Sequence, residues 1–396
     1  MEKNFIGDIQ EQYINPNEFG GLVYDENELL AIEDVIKNKK IFRYADESET
    51  SVDLFEKQVG ELFRVKYVNG FNSGTSALRA ALFSIGVCEN DRVLVSSYTF
   101  IASAASVSSL HAIPIPMEFN IKYGMDIEQV REEIEKGCKA IVIVHLQGRA
   151  FDIREIVKLA HEKGVYVIED ACQAFRATCD DIYAGTTGDI GVFSFQQNKL
   201  LTSGEGGIFI TDHREFYEIG RNFSDQGASR NAYPTWDETN AVIGDNSRMS
   251  NIQGSILLAQ LQKLNYIIER QKHVHNIIVD KLKELNISRY TEACSTNIGI
   301  NILFLAKDKE SADRAITCCE EHNVLLKRIW NKPWYKYAVY QRQLPIYRNT
   351  NLKQAQEISD CLLALPIPPI LKDEQTEQLL NVIEKLVELD YLRGWF

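Results

Sequence analysis

The stretch 193-FSFQQNKLLTSGEGG-207 ends an apolar run, Ile190 to Phe195, with two glutamines, an asparagine and one lysine, Lys199. Three glycines within four positions follow. Such a lysine can be an ordinary solvated side chain. It can also be an amine held inside a site, where it forms a Schiff base with a carbonyl. Other short segments bear on the choice. In 72-NSGTSAL-78, Gly74 followed by Thr75 and Ser76 opens a predicted helix. Backbone N–H groups and two hydroxyls converge there, which makes either an anion site or an N-cap. In 169-EDACQAF-175, Glu169 and Asp170 stand where a predicted strand ends, with Gln173 three residues on. A carboxylate there can face a cationic ring nitrogen or cap the next turn. Gln173 can donate to a ligand oxygen or lie on the surface. Ser194 is an isolated strand serine or a phosphate ligand, and 204-GEGG-207 gives a bulky ligand room or makes a simple turn.

The elements that must position these groups follow from periodicity. Helical spacing covers 26–40 and 51–64, with a loop over 41–51. Helices are predicted at 75–86, 99–110, 126–136 and 152–163, alternating with strands at 92–97, 112–118, 139–146 and 165–170. Strands at 190–195 and 207–211 follow. They are short, rich in Val and Ile, and often apolar on both faces, the pattern of a mostly parallel sheet covered by helices. Ligands of such sheets bind beyond the carboxyl ends of the strands, so Asp170 and Lys199 should emerge at one edge. The texture changes after residue 250. A long helical run over 251–286 leads to a smaller α+β unit that closes with a helix at 373–390. Two domains are expected, 1–265 and 266–396.

Composition narrows the function classes. The chain has 396 residues, 45% hydrophobic and 25% charged, with a net charge of −13. That is a globular profile, and the charge argues against a nucleic-acid surface. Eight scattered cysteines lack the paired spacing of a zinc site, so no metal is expected, and they read as reduced thiols. The start, MEKNFIGDIQEQ, lacks a signal-peptide pattern, and no window reaches membrane-span length. A cytoplasmic location without membrane contact is expected.

A phosphate cradle, an aspartate, a serine and a lysine in this order fit one ligand, pyridoxal phosphate. It needs an amine for its aldehyde, a carboxylate for its ring nitrogen and an anion site for its phosphate. The sequence is similar to the DegT/DnrJ/EryC1/StrS aminotransferases from about Asn27 to about Lys385. The motifs that carry the resemblance are 72-NSGTSAL-78, 97-SYTFIAS-103, 145-HLQGRAFDI-153, 168-IEDACQA-174, 185-GTTGDIGVFSFQQNKLLTSGEGG-207, 244-GDNSRMSNIQGSILLAQL-261 and 365-LPIPP-369.

The resemblance implies a fold type I transferase, a homodimer with active sites at the interface, and residue roles. Lys199 is the Schiff-base lysine and proton shuttle, and Asp170 pairs with the ring nitrogen. Gln173 contacts the phenolic oxygen, and Phe100 stacks on the ring. The backbone at Gly74 and Thr75, with the Ser76 and Ser194 hydroxyls, holds the phosphate. Asn246 reaches the neighbouring subunit's phosphate. The implied reaction moves an amino group from L-glutamate or L-glutamine to a keto or aldehyde group of a sugar, sugar nucleotide or keto-cyclitol. Relatives with histidine in place of the lysine dehydrate sugars, so Lys199 favours transamination. A non-catalytic sugar- or cofactor-binding regulator and a sugar dehydratase are the alternatives. Gln196-Gln197 resembles the branch acting on keto-cyclitols or unusual keto sugars.

Three cations depart from the family pattern or lie near the expected site: Arg43, Arg149 and Arg176. At least one is expected to bind a substrate carboxylate, since arginine can grip one with two parallel hydrogen bonds; surface ion pairing is the bland reading of each. His145 reads as a structural histidine, and Cys318-Cys319 carry no assigned role. Trp330, Trp334 and Tyr335 form an aromatic cluster that faces either the substrate or the core.

Overall fold

Seven strands form the large sheet: β1 (Tyr67–Phe71), β2 (Arg92–Ser96), β3 (Ile113–Met117), β4 (Ala140–Val144), β5 (Tyr166–Asp170), β8 (Ile190–Ser194) and β9 (Gly207–Thr211). Their order is β1-β9-β8-β5-β4-β2-β3. The pairs from β3 to β8 are parallel, while β9 runs antiparallel to both β8 and β1. The central β4, AIVIV, is buried at every position, as a strand covered on both faces must be. β1 is the strand that the periodicity reading did not anticipate. The computed structural model describes residues 23–44, 49–230, 234–236, 239, 241–289, 295–296, 298–369 and 371–395.

Helices cover the sheet: α1 (Glu26–Lys37), α2 (Ser51–Phe63), α3 (Gly74–Ser84), α4 (Ile101–Ser108), α5 (Ile127–Glu135), α6 (Arg154–Glu162) and α7 (Arg214–Ser224). The expected helical run over 251–286 is two helices, α8 (Asn251–Gln262) and α9 (Leu264–Glu284). They part at Lys263, whose amine bonds Glu28 Oε1 at 2.6 Å and the Val23 carbonyl at 2.7 Å. These contacts tie the helix junction to the start of α1.

Two small ladders flank the large sheet. β6 (Thr178–Cys179) pairs with β7 (Ile182–Tyr183) and with β12 (Ser295–Thr296), and β10 (Ser229–Arg230) pairs with β11 (Pro234–Thr235). The C-terminal unit is an antiparallel sheet of β13 (Asn301–Ala306), β14 (Lys327–Arg328), β15 (Leu362–Pro366) and β16 (Leu392–Trp395), in the order β14-β15-β13-β16. It carries α10 (Lys309–Glu321), α11 (Ala338–Gln343), α12 (Lys353–Cys361) and α13 (Asp373–Glu388).

The two units are closely joined. Trp334 Nε1 donates to the Ser96 carbonyl at 2.9 Å, and the Tyr347 hydroxyl donates to the Pro114 carbonyl. The Ala355 N–H donates to Glu118 Oε1 at 2.8 Å. Trp334, Tyr335 and Tyr347 are therefore buried in an apolar cluster that continues into the large sheet.

Six cysteines are free thiols, but Cys179 on β6 is disulfide-bonded, which corrects the reading of all eight as reduced. Cys294 lies outside the described residues. Disulfide pairing depends on which strands meet in space, and scattered spacing carries no such signal. Among the described residues, no helix is long and apolar enough to cross a membrane.

Candidate active site

A cavity of about 490 Å³ opens at the carboxyl edge of β5 and β8. The large unit contributes Gly74, Thr75, Phe100, Asp170, Gln173, Ser194 and Lys199 to its wall. The C-terminal unit contributes Asn301 from β13, Lys327 from β14, Ala364 from β15 and the segment Ile329–Trp330.

Asp170 is the last residue of β5 and is buried. Its Oδ2 accepts from the Ser103 hydroxyl at 2.7 Å, and its Oδ1 accepts from the Cys172 N–H at 3.2 Å. Ser103 also shares a 3.0 Å hydrogen bond with Thr99. The carboxylate is thus aimed by two donors and keeps lone pairs for a third.

Opposite it, α3 begins at Gly74, with Ser73 as N-cap accepting from the Ser76 N–H at 3.1 Å. A Cβ on Gly74 would stand 2.7 Å from Ser194 Cβ and 3.1 Å from Ser194 Oγ. Only glycine allows the strand end and the helix N-terminus to come this close, which puts free N–H groups beside a hydroxyl. Ser76 does not reach the cavity; its hydroxyl donates to Asn72 Oδ1 at 2.7 Å.

Lys199 is half-buried, in a turn closed by its N–H to the Gln196 carbonyl at 2.9 Å. Cys172 lies within the fields of both Asp170 and Lys199. Burial and the Asp170 charge push its thiol well above the ordinary value, against the opposing effect of Lys199. It stays protonated and does not compete as a nucleophile. Phe100 is 55% exposed at the cavity wall, an aromatic face open to a flat ligand.

Glu169, beside Asp170, faces the other side of the sheet and is fully buried. It accepts backbone N–H bonds from Gly185 at 2.7 Å and from Thr187 and Gly188 at 2.6 Å, and it meets His145 Nε2 at 2.8 Å. The Phe151 N–H donates to His145 Nδ1 at 3.0 Å, so the ring hydrogen sits on Nε2, facing Glu169. This pair pins the loop that feeds β8, as expected of a structural histidine.

None of the three arginines expected to bind a substrate carboxylate lines the cavity. Arg43 is buried and pairs with Glu56 at 2.6 Å. Burial disfavours its charge, and Glu56, Tyr44 and Asp53 together more than offset this, so its pKa is raised. Arg176 bonds the Tyr183 hydroxyl and sits 4.6 Å from that ring's centroid. Arg149 is buried beside a separate small void, and among the described residues its Nη1 has no hydrogen-bond partner. Burial, and then the Arg289 charge, pull its pKa down to about 10. The cation that the C-terminal unit does bring to the cavity is Lys327, which sequence reading missed; β14 has only two residues and leaves no periodic signal. Burial lowers its pKa. Trp330 joins it in the wall, whereas Trp334 and Tyr335 belong to the core. Asn246 is exposed and lies outside the cavity.

The residues present fit pyridoxal phosphate: an amine, a held carboxylate, a glycine-built anion cradle and an open aromatic face share one cavity. The DegT/DnrJ/EryC1/StrS aminotransferase family matches residues 23–386. GDP-perosamine synthase of Escherichia coli O157:H7 is 36% identical over 236 residues, 59% of this chain and 64% of that protein. GDP-perosamine synthase of Vibrio cholerae is 28% identical over 342 residues, covering 84% of this chain and 90% of that one. Among solved structures, NtdA of Bacillus subtilis with bound cofactor PMP superposes with a TM-score of 0.83 at 22% identity, covering 96% of this chain and 86% of that chain.

Proposed function

Because the chain belongs to the DegT/DnrJ/EryC1/StrS aminotransferase family, we propose that it moves an amino group from L-glutamate or L-glutamine to the keto group of a nucleotide-linked sugar, with pyridoxal phosphate at Lys199. The observation that carries this is the meeting of Lys199, Asp170, Ser194 and the N-terminus of α3 in one cavity. The GDP-perosamine synthases, named for a GDP-linked amino sugar, support the acceptor class. A keto-cyclitol is the second acceptor to try, since Gln196 also faces the cavity.

When bound, the cofactor supplies an electron sink for the carbon that loses a proton. The protein's own residues do the rest. Asp170, fixed by Ser103, holds a negative charge where the ring nitrogen would lie. The Gly74 and Thr75 backbone with the Ser194 hydroxyl would hold the phosphate, and Phe100 would cover the ring. Lys199 Nζ takes the proton from the donor's Cα, as a positioned general base. Lys327 offers a positive charge to an anionic substrate group, the role first expected of the arginines.

The reading extends to a homodimer with shared sites, in which Asn246 serves the neighbouring copy. The exposed apolar side chains Leu29, Leu30, Ile36, Ile41 and Phe42 fit a surface covered by a second copy. Six free thiols fit work in the cytoplasm, with the Cys179 disulfide as the exception to that pattern.

The test is the absorbance of the protein with pyridoxal phosphate, before and after L-glutamate or L-glutamine, followed by a GDP-linked keto sugar or a keto-cyclitol and analysis of the product. Bleaching by the donor and an amine on the acceptor, both lost in Lys199→Ala, is the expected result. Binding without turnover would replace the enzyme with a regulator, and loss of water from the sugar would replace it with a dehydratase.

A further inference from the structure

Three side-chain amides form a chain across the cavity. Gln173 Oε1 accepts from Gln147 Nε2 at 2.7 Å and from the Gln147 backbone N–H at 3.4 Å. Gln147 Oε1 accepts from Asn301 Nδ2 at 2.5 Å. All three residues line the cavity, and Asn301 belongs to β13 of the C-terminal unit. Gln147 has φ +51 and Gly148 φ +81, so the turn that holds Gln147 is left-handed. A non-glycine residue is held there at some cost, which marks an over-determined position. The Gly148 N–H donates to the Gln173 carbonyl at 2.7 Å, so backbone and side chain clamp the same residue.

The chain has a direction. A backbone N–H can only donate, so it fixes the carbonyl end of the Gln173 amide toward Gln147. Gln147 must then give its NH2 to Gln173 and its carbonyl to Asn301, and Asn301 must give its NH2. Two ends remain: Gln173 Nε2, a donor, and Asn301 Oδ1, an acceptor. Among the described residues neither end has another hydrogen-bond partner.

We propose that Gln147 is a positioning residue that sets the amide polarity of the cavity. It makes Gln173 present a hydrogen-bond donor to the cofactor's ring oxygen. It also makes Asn301 present an acceptor to a hydroxyl or ammonium group of the substrate. Because Asn301 rides on the C-terminal unit, the seating of that unit and the aim of Gln173 are coupled. The proposal rests on the pyridoxal phosphate reading.

The experiment is a double-mutant cycle read by pyridoxal phosphate affinity and by the visible absorbance maximum of the loaded protein. Gln147→Glu can only accept, so its carboxylate repels the Gln173 carbonyl, competes with the long 3.4 Å backbone N–H contact and favours the turned amide, which points a carbonyl at the cofactor. It should raise the dissociation constant about tenfold, the weight of one hydrogen bond to a charged group, and shift the band. Gln147→Met, of similar size but without polarity, should cost about threefold, because the backbone N–H still holds Gln173. In the Gln173→Leu background, Gln147→Glu should add less than about twofold, since the two act through one group. Equal effects of Glu and Met without a band shift, or full effects of Gln147 in the Gln173→Leu background, would overturn the proposal. If Gln147→Glu does not fold, the cycle of Gln147→Met with Gln173→Leu carries the same comparison. A wild-type protein that binds no pyridoxal phosphate would instead remove the cofactor reading, a separate result.

Discussion

The Ser103 hydroxyl donates to Asp170 Oδ2 at 2.7 Å, joining the first turn of α4 to the end of β5 inside the candidate site. In Ser103→Ala the carboxylate loses this donor and keeps the Cys172 N–H. Affinity for pyridoxal phosphate should fall about tenfold, the scale of one hydrogen bond to a charged group. Fluorescence titration of the cofactor checks this, and a melting temperature within a few degrees of wild type would separate it from unfolding.

Lys327 should govern substrate affinity and its pH dependence. Lys327→Met is expected to raise the Michaelis constant of the anionic substrate about tenfold, the weight of one charge-assisted contact, and to leave cofactor affinity unchanged. If the donor's constant moves, Lys327 binds its carboxylate; if the acceptor's moves, it binds the phosphate. Burial lowers the Lys327 pKa, so its charge is present at low pH and is lost, as pH rises, earlier than that of an exposed lysine. The same Michaelis constant should therefore climb on the alkaline side in wild type and stay flat in Lys327→Arg, whose guanidinium remains charged. Steady-state kinetics across that pH range test this.

Arg43 should matter for stability and not for substrate. Arg43→Met leaves Glu56 buried and unpaired, a loss of about 3–5 kcal/mol. Glu56 also accepts the Gly70 N–H at 2.6 Å, so the damage should reach β1. Urea denaturation measures the loss. The Michaelis constants of both substrates, measured on the folded variant, should match wild type; a rise in either would return Arg43 to the binding site.

Glu169→Gln puts an NH2 group where four donors converge. We expect a loss of about 3 kcal/mol or more, because a buried network is left partly unsatisfied. Activity should fall with it, since the same loop leads to β8 and Ser194. A denaturant midpoint equal to wild type would rule out this anchoring role.

The parts legible in the sequence were those whose signal is local. The alternation of strands and helices gave the sheet, apart from β1. The motif ends gave Gly74, Thr75, Phe100, Asp170, Gln173, Ser194 and Lys199, all of which line the cavity. The break at Lys263 escaped notice because α8 and α9 share one helical texture, and only the contacts of Lys263 with Glu28 and Val23 mark the junction. Asn301 and Lys327 escaped because their own short segments carry no motif, and Gln147 stood inside 145-HLQGRAFDI-153 without a role because its partners Gln173 and Asn301 meet it only in the fold.

Residue order alone determined which chemical groups stand at the carboxyl ends of the strands, since strand direction and the 3.6- and 2-residue periods are local properties of the chain. Tertiary structure decided which charges are spent on one another. Arg43 and Arg149 are both arginines in loops beside predicted elements, yet Arg43 meets Glu56 through Nη2 while Arg149 is buried in the field of another cation, Arg289. In a low-dielectric interior, a charge's role is set by the group folded against it. Only the folded chain therefore brings Lys327, from a strand of two residues, to the wall that holds Lys199.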